Sequence, residues 1–265
     1  MAIIGGGPAG MAAARAAEEV AIDTVMLDEG AEDGALVWFV DRDGTICYSP
    51  ASGAEKLIAQ YIILAPGVQK SWAVDDHENP DIQITSALGL AHAWDPVQGF
   101  WYPQCGEDGR TALERVFLAG AVTGRFGIAM AAWQGWRAAL AVARDLGKDI
   151  GNVDLAESPV PEAQTSPSFD VATLDDDAMA CPCEEVTAGD IQRLGALGCR
   201  EVNQAKALGR PGAGPCQGRR CALLVAAVLA DARGVGMAEV GYFRQRWPTS
   251  PVSLDQLSKF ADEDG

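Results

Sequence analysis

Apolar residues fall in short bursts along the chain, separated by glycine-rich turns, and their spacing predicts alternating strands and helices. Positions 2–4 form an apolar triplet, 11–20 an alanine-rich stretch of helical length, and 24–27 a second apolar burst. Residues 2–28 therefore predict a strand–helix–strand opening. Bursts at 36–40, 45–48, 61–64 and 116–118 predict further strands, with Asp43-Gly44 as a hairpin turn. A Gly/Ala-rich helix is expected over 127–146. The pattern then breaks: 151–178 is rich in Pro, Ser, Asp and Glu (Ser158-Pro159-Val160-Pro161, Asp175-Asp176-Asp177) and is expected to be a linker. Beyond it, helices are expected over 187–197, with Thr187 as N-cap, and over 222–229. There is no internal repeat.

The turn after the first strand carries chemistry. Gly5-Gly6-Gly7-Pro8-Ala9-Gly10 fits G-x-G-x-x-G, whose glycines allow a pyrophosphate to approach the N-terminus of the following helix. Asp28-Glu29 ends the second strand, and Asp28, 18 residues after Gly10, is placed to accept from a ribose hydroxyl. Strand, helix, strand and terminal acid together predict an α/β fold with a Rossmann-like dinucleotide-binding domain over 1–150. The candidate cofactor-binding residues there are Gly5, Gly7, Pro8, Ala9, Gly10, Asp28 and Glu29.

The cysteines change the picture further. Cys181 and Cys183 are spaced C-x-C, Cys216 and Cys221 are spaced C-x4-C, and 32 residues separate the pairs. Four thiolates can hold Zn²⁺ or a [2Fe–2S] cluster. Structural zinc usually takes C-x2-4-C pairs, whereas an extended C-x-C arm suits the wider two-iron unit. Lys206, Arg210, Arg219 and Arg220 gather near the second pair in an otherwise acidic chain, which favours an anionic cluster. Gly209, Gly212, Gly214 and Gly218 allow backbone N–H groups close to the sulfurs. Cys221 opens an apolar run, so its sulfur is expected beside free helix N-terminal amides. Cys199, Cys47 and Cys105 stand outside both pairs and are expected to pack. His77 and His92 sit in no nucleophile or metal motif, which leaves a histidine acid–base mechanism without support. Trp38, Trp133 and Trp136 are expected in the core or at an interface between subunits.

Composition mainly excludes. A net charge of −17 argues against nucleic-acid binding, which needs a basic surface. The hydrophobic fraction of 48% supports a real core, yet no run of 18 apolar residues is present, so no membrane span is expected. Seven cysteines without a secretory signal point to a cytoplasmic chain of free thiols.

At this point a family resemblance becomes specific. Residues 181–221, above all Glu201-Val202-Asn203-Gln204-Ala205-Lys206 and Gly214-Pro215-Cys216-Gln217-Gly218-Arg219, resemble the bacterioferritin-associated-ferredoxin-like (BFD-like) [2Fe–2S] domain. The variant is the one fused to the α subunits of heteromeric flavin-dependent amine and amino-acid dehydrogenases and oxidases, such as opine oxidase, D-hydroxyproline dehydrogenase, hydrogen cyanide synthase and dye-linked proline dehydrogenase. Phe243 to Trp247, Pro248 and the Pro251-Val252-Ser253-Leu254 stretch resemble the end of the same subunits. The resemblance implies Cys181, Cys183, Cys216 and Cys221 as cluster ligands, a small helical BFD-like domain over 179–237 and a tail over 238–265. Ile62-Ile63-Leu64-Ala65-Pro66-Gly67 and Ala119-Gly120-Ala121 resemble the two other flavin-contacting segments of two-dinucleotide-fold flavoproteins, adding Ala65, Gly67, Gly120 and Ala121 to the candidates.

Three departures accompany it. Pro66 stands where relatives have Thr, and Ala121 where they have the Asp that bonds the ribityl chain. Only about thirty residues separate Gly67 from Gly99, too few for the second nucleotide domain of full-length relatives. What the resemblance implies is an electron-transfer α subunit. Its cofactors would be a [2Fe–2S] cluster and FAD or another adenine nucleotide such as ATP, with FMN where two subunits meet also compatible. Its partner would be a β subunit of the D-amino-acid-oxidase type that oxidises an amine or secondary amino acid, and a further small subunit is compatible too. Two alternatives stay open: a scaffold subunit with a structural nucleotide, and a stand-alone ferredoxin-like carrier or reductase.

Overall fold

The structure, a computed structural model, describes residues 1–29, 35–50, 54–70, 78–151, 157–163 and 171–261. Strand β1 (Ala2–Ile4), helix α1 (Pro8–Glu19) and strand β2 (Val25–Leu27) form the expected opening unit. Next come β3 (Leu36–Val40), β4 (Thr45–Ser49) and β5 (Glu55–Ile58), an antiparallel sheet turned at Gly44. The chain re-enters the parallel sheet with β6 (Ile62–Leu64). Between there and the last parallel strand lie β7 (Val68–Lys70), β8 (Glu78–Pro80), the five-residue helix α2 (Gln83–Ala87), β9 (His92–Asp95) and β10 (Phe100–Pro103). Strand β11 (Val116–Leu118) closes the parallel sheet in the order β11-β6-β1-β2, and α3 (Ile128–Asp145) follows.

Strand alternation sorts the sheet's side chains into two cores. Ile3, Ile63 and Phe117 share a register row and face Ala13 and Ala16 of α1 and Ala138 and Val142 of α3. Their neighbours Ala2, Ile4, Ile62, Leu64, Val116 and Leu118 face the opposite way, against Val37, Val40 and Ile46 of the antiparallel sheet. The result is a helix layer, a parallel sheet and an antiparallel sheet. The two helices touch nearly backbone to backbone: a Cβ placed on Gly135 would lie 1.9 Å from the carbonyl oxygen of Ala9. The Gly/Ala bias of both helices is what permits this approach.

Between Gly67 and Gly99 the described residues form only short antiparallel pairs, β7 with β8 and β9 with β10, plus α2. No second βαβ unit appears among them. The first part of the expected linker is not free: Glu162 donates its N–H to the carbonyl of Phe126 at 3.0 Å. Residues 152–156 and 164–170 of that linker, and His77, lie outside the described residues.

The second unit comprises β12 (Met179–Cys181), β13 (Val186–Thr187), α4 (Ala188–Ala196), α5 (Val202–Gly209), α6 (Ala222–Arg233), α7 (Met237–Val240) and α8 (Leu254–Ala261). Helix α6 is apolar on every side, with residues 223–230 all buried, and α4, α5 and β12 pack around it. Helix α4 starts at a capping box in which Thr187 accepts from the Asp190 N–H and Asp190 accepts from the Thr187 N–H. The core of this unit also takes in Val171 and Leu174 upstream and Val240 and Phe243 downstream, so it reaches into both the expected linker and the expected tail. Cys199 packs in it, as expected. Among the described residues no helix is long and apolar enough to cross a membrane.

Candidate functional site

Helix α1 begins without a side-chain cap and without an acidic residue in its first turn; Gly7 is the N-cap and Pro8 the first helical residue. Its unpaired N–H groups and the positive end of its dipole are thus left to whatever occupies the cavity in front. That cavity, about 300 Å³, is lined by Gly7, Pro8, Ala9, Ala65, Gly67, Gly120 and Ala121 together with residues not expected from sequence, Phe126, Ile128, Ala131 and Glu162 among them. Glu162 arrives on the docked part of the linker, which no local pattern marks. A nucleotide's phosphates suit the helix end, and the absence of a Cβ at Gly7, where nothing lies within 4 Å, leaves backbone open to them.

A smaller cavity of about 100 Å³ opens at the ends of β1 and β2 and holds Gly5, Asp28 and Glu29. Asp28 accepts from the Gly6 N–H at 2.9 Å, which ties the acid to the glycine turn. Gly10 lines neither cavity; a Cβ there would lie 1.9 Å from the Gly5 carbonyl oxygen, so its part is helix–turn packing. The far wall of this cavity is built by Asp81 and Gln83 and, from the second unit, by Arg219, Thr249 and Ser250. Burial pushes the Asp81 carboxyl up, opposed by the Gln83 N–H and the charge of Arg219.

The structure brings the four paired cysteines together. Cys181 and Cys221 are in hydrogen-bond contact and fully buried, while Cys183 and Cys216 form a second contact nearer the surface. All are free thiols. The thiols form two pairs, and among the described residues no three His, Cys, Asp or Glu side chains are set around a single ion. Gly212 donates its N–H to Cys181 Sγ at 3.3 Å. Cys216 is acted on by burial, which raises its pKa, but the N–H groups of Arg220 and Gly218, the Cys183 thiol and the charge of Arg219 outweigh this and bring it down. Burial pushes Cys221 up, and the nearby Cys181, Cys216 and Cys183 add to that. Four thiols brought together, with N–H donors from Gly212, Gly218 and Arg220 around them, fit a metal centre that accepts their charge.

Backbone strain concentrates here. Of the four non-glycine residues at positive φ among the described residues, Glu185, Arg210 and Gln217 bracket the cysteine loops. Gly214 is a further constraint, since a Cβ would meet Cys183 Cβ at 2.4 Å. The basic residues divide their work. Arg210 pairs with Glu184 at 2.7 Å, while Lys206 faces Cys221, Cys216 and Cys181; burial lowers its pKa and those three thiols act to raise it.

Phe243 is a residue that sequence reasoning left without a role. Its ring lies on Gly212 and Gly218, so that a Cβ on either would come within 2.6 Å of it, and Lys206 Nζ stands 5.5 Å from the ring centre. The same stretch clasps the first unit. Gln245 donates its backbone N–H to Ser86 Oγ at 3.1 Å and its side-chain amide to the Gln217 carbonyl at 3.0 Å. Tyr242 meets His92 across the seam, its hydroxyl 2.9 Å from Nδ1, and Trp247 packs into the first unit's core. His92 is buried neutral, its pKa lowered to about 4 by burial. Cys47 and Cys105 are isolated from the cysteine cluster. Trp136, on α3, packs against the core that α3 shares with α1 and the sheet, and Trp133 carries the Arg137 guanidinium.

A third cavity, about 40 Å³, lies in the seam between Trp101, Gln83, Arg219 and the tail. All four buried side-chain polar atoms without a partner among the described residues belong to residues lining it: Asn79 Oδ1, Gln83 Oε1, Trp101 Nε1 and Gln245 Oε1. Its size admits roughly two or three waters.

Comparison with known proteins places these features. Residues 179–260 match the sarcosine oxidase A3 domain. An opine oxidase subunit of Rhizobium meliloti is 30% identical, over 86% of this chain and 54% of its own length. The hydrogen cyanide synthase subunit HcnB of Pseudomonas aeruginosa is 27% identical, over 69% of this chain and 42% of its own. The chain thus spans about half the length of the curated relatives it matches. Among solved structures, L-proline dehydrogenase from P. horikoshii superposes with a TM-score of 0.82 at 15% identity, covering 97% of this chain and 78% of that one, which establishes the α/β fold with its parallel sheet.

Proposed function

This chain belongs to the same family as that opine oxidase subunit, and from its two sites we propose that it is the electron-transfer subunit of a heteromeric flavin-dependent oxidoreductase. The enzyme would oxidise an amine or secondary amino acid: an opine, hydroxyproline, proline or a similar compound. Substrate oxidation would fall to a partner chain, a β subunit of the D-amino-acid-oxidase type.

The observation that carries this reading is the convergence of Cys181, Cys183, Cys216 and Cys221 under backbone N–H groups. These residues would hold a [2Fe–2S] cluster, in a small BFD-like domain. When bound, such a cluster passes electrons singly. The chain's own part is positional. Gly212, Gly218 and Arg220 aim N–H groups at the sulfurs, Lys206 and Arg219 supply positive charge, and Phe243 covers the loop. Cys183 and Cys216, on the open side, are where an electron would enter or leave. At the other site, the α1 N-terminus would bind phosphates and Asp28 a ribose hydroxyl, for FAD or another adenine nucleotide such as ATP. A structural nucleotide on a scaffold subunit is the second reading, favoured by Ala121, which offers no polar side chain to the larger cavity.

The test is a visible spectrum, iron and sulfide analysis, and EPR after dithionite reduction on the chain co-expressed with its flavoprotein partner. A rhombic one-electron signal at about two irons per chain supports the proposal. Zinc at one per chain, in protein prepared without exposure to oxygen, would refute it.

A further inference from the structure

The two candidate sites share a residue. Arg219 lies between Cys216 and Cys221 in sequence, yet it lines the cavity that holds Asp28 and Glu29 at the far end of the first unit's sheet. It is half-buried, and its Nη2 donates to the Thr249 carbonyl at 3.0 Å, which steadies it in the wall of that cavity. Thr249 and Ser250, both more than nine-tenths buried, complete the same wall. The smaller cavity is therefore closed by the cysteine-bearing unit, and a ligand filling it touches both units.

We propose that Arg219 couples the two sites: it holds the adenosine end of a bound adenine nucleotide and, from its place in the loop between Cys216 and Cys221, puts positive charge beside the cysteines, so that nucleotide binding shifts the reduction potential of a cluster on the four cysteines. This rests on both halves of the function proposed above. Adenosine offers acceptors that a guanidinium reaches, the ribose oxygens and the purine ring nitrogens. Arg219 reaches both sides: its side chain lines the cavity with Asp81, and its backbone N–H donates to the Cys216 carbonyl at 3.0 Å in the cluster loop.

The direction follows from charge. Reduction adds an electron to an already anionic centre, so a nearby guanidinium favours the reduced form. A nucleotide whose oxygens pair with Arg219 and whose phosphates add negative charge weakens that help, and the midpoint potential falls. Linkage then requires the reduced protein to bind the nucleotide less tightly by the same factor.

The experiment uses the full chain freed of bound nucleotide, with ADP, the portion common to FAD and ATP, as probe. ADP affinity is measured by calorimetry, and the midpoint potential by EPR-monitored titration with and without ADP, in wild type, Arg219→Gln and Arg219→Lys. Wild type is expected to bind ADP and to show a lower midpoint with it. Arg219→Gln is expected to bind about tenfold more weakly, as loss of a charged hydrogen bond implies, and to lose the shift; Arg219→Lys is expected to keep part of both. Equal ADP affinity and equal shifts in wild type and Arg219→Gln would overturn this inference alone. No ADP binding by wild type would overturn the nucleotide assignment and this inference with it, and no EPR signal would do the same from the cluster side.

Discussion

Replacing Phe243 by alanine tests whether the stretch after α7 is a passive tail or the lid of the cysteine loops. The side chain is 3% exposed, so nearly all of its area leaves water on folding. A buried phenylalanine removes on the order of 150–200 Å², which at about 25 cal/mol per Å² corresponds to roughly 4–5 kcal/mol. On the side of Gly212 and Gly218 the void would be poorly refilled, because neither residue has a side chain to relax into it. We therefore expect Phe243→Ala to cost about 4 kcal/mol, in the middle of the usual phenylalanine range, and Phe243→Leu less than about 1.5 kcal/mol. Urea unfolding followed by tryptophan fluorescence measures both, and amide exchange at Gly212 and Gly218 should quicken in the alanine variant. A loss under about 1 kcal/mol in Phe243→Ala, with exchange at both glycines unchanged, would refute the lid.

Four further outcomes are expected. Cys216→Ser should lower iron and sulfide content to near zero in anaerobically prepared protein; unchanged content would remove Cys216 from the ligand set. His92, buried with its pKa lowered to about 4 from 6.5, binds its proton more readily in the unfolded chain. Its contribution is full above about pH 6.5 and is lost as pH falls towards 4, roughly 3 kcal/mol in all; His92→Gln should flatten that part of a stability–pH curve, and an unchanged slope would show that other groups set it. Thr187→Ala should cost about 1 kcal/mol by thermal melts through loss of the cap. The Asp190 carboxyl is held below its ordinary 3.8 first by the Thr187 N–H and then by the Thr187 hydroxyl, so the stability it adds is present above that value and lost as pH falls through the lowered one; an acid limb identical in Asp190→Asn would contradict this.

Much of the frame was legible because it is local. The apolar triplets at 2–4 and 116–118, the alanine-rich α1 and α3 and the Thr187 cap each carry their signal within a few residues. Strands β5 and β7 to β10 were not expected; β8, made of Glu78, Asn79 and Pro80, carries no apolar burst at all. The glycine motif pointed to the α1 end, and the spacing of the cysteines anticipated that the four thiols would meet. What sequence could not indicate was the closure of each site by distant chain. Phe243 reaches Ser86 across 157 positions, and Arg219 enters a cavity made by residues near the start of the chain. No periodicity encodes such a meeting; it is decided by how the two cores seat against each other. Glu162 went unexpected for the same reason, being fixed by one backbone pairing with Phe126.

The seam cavity has a mechanical consequence. Its four buried polar atoms have no protein partner among the described residues and are satisfied only by water. Parting the two units there would hydrate all four groups fully and remove the imperfectly packed cavity, so the volume of the system shrinks on opening. Compression favours the smaller volume. Under hydrostatic pressure the clasp formed by Tyr242, Gln245 and Trp247 should therefore loosen before the parallel sheet and the α6 core, which hold no unpartnered buried side-chain polar atom among the described residues.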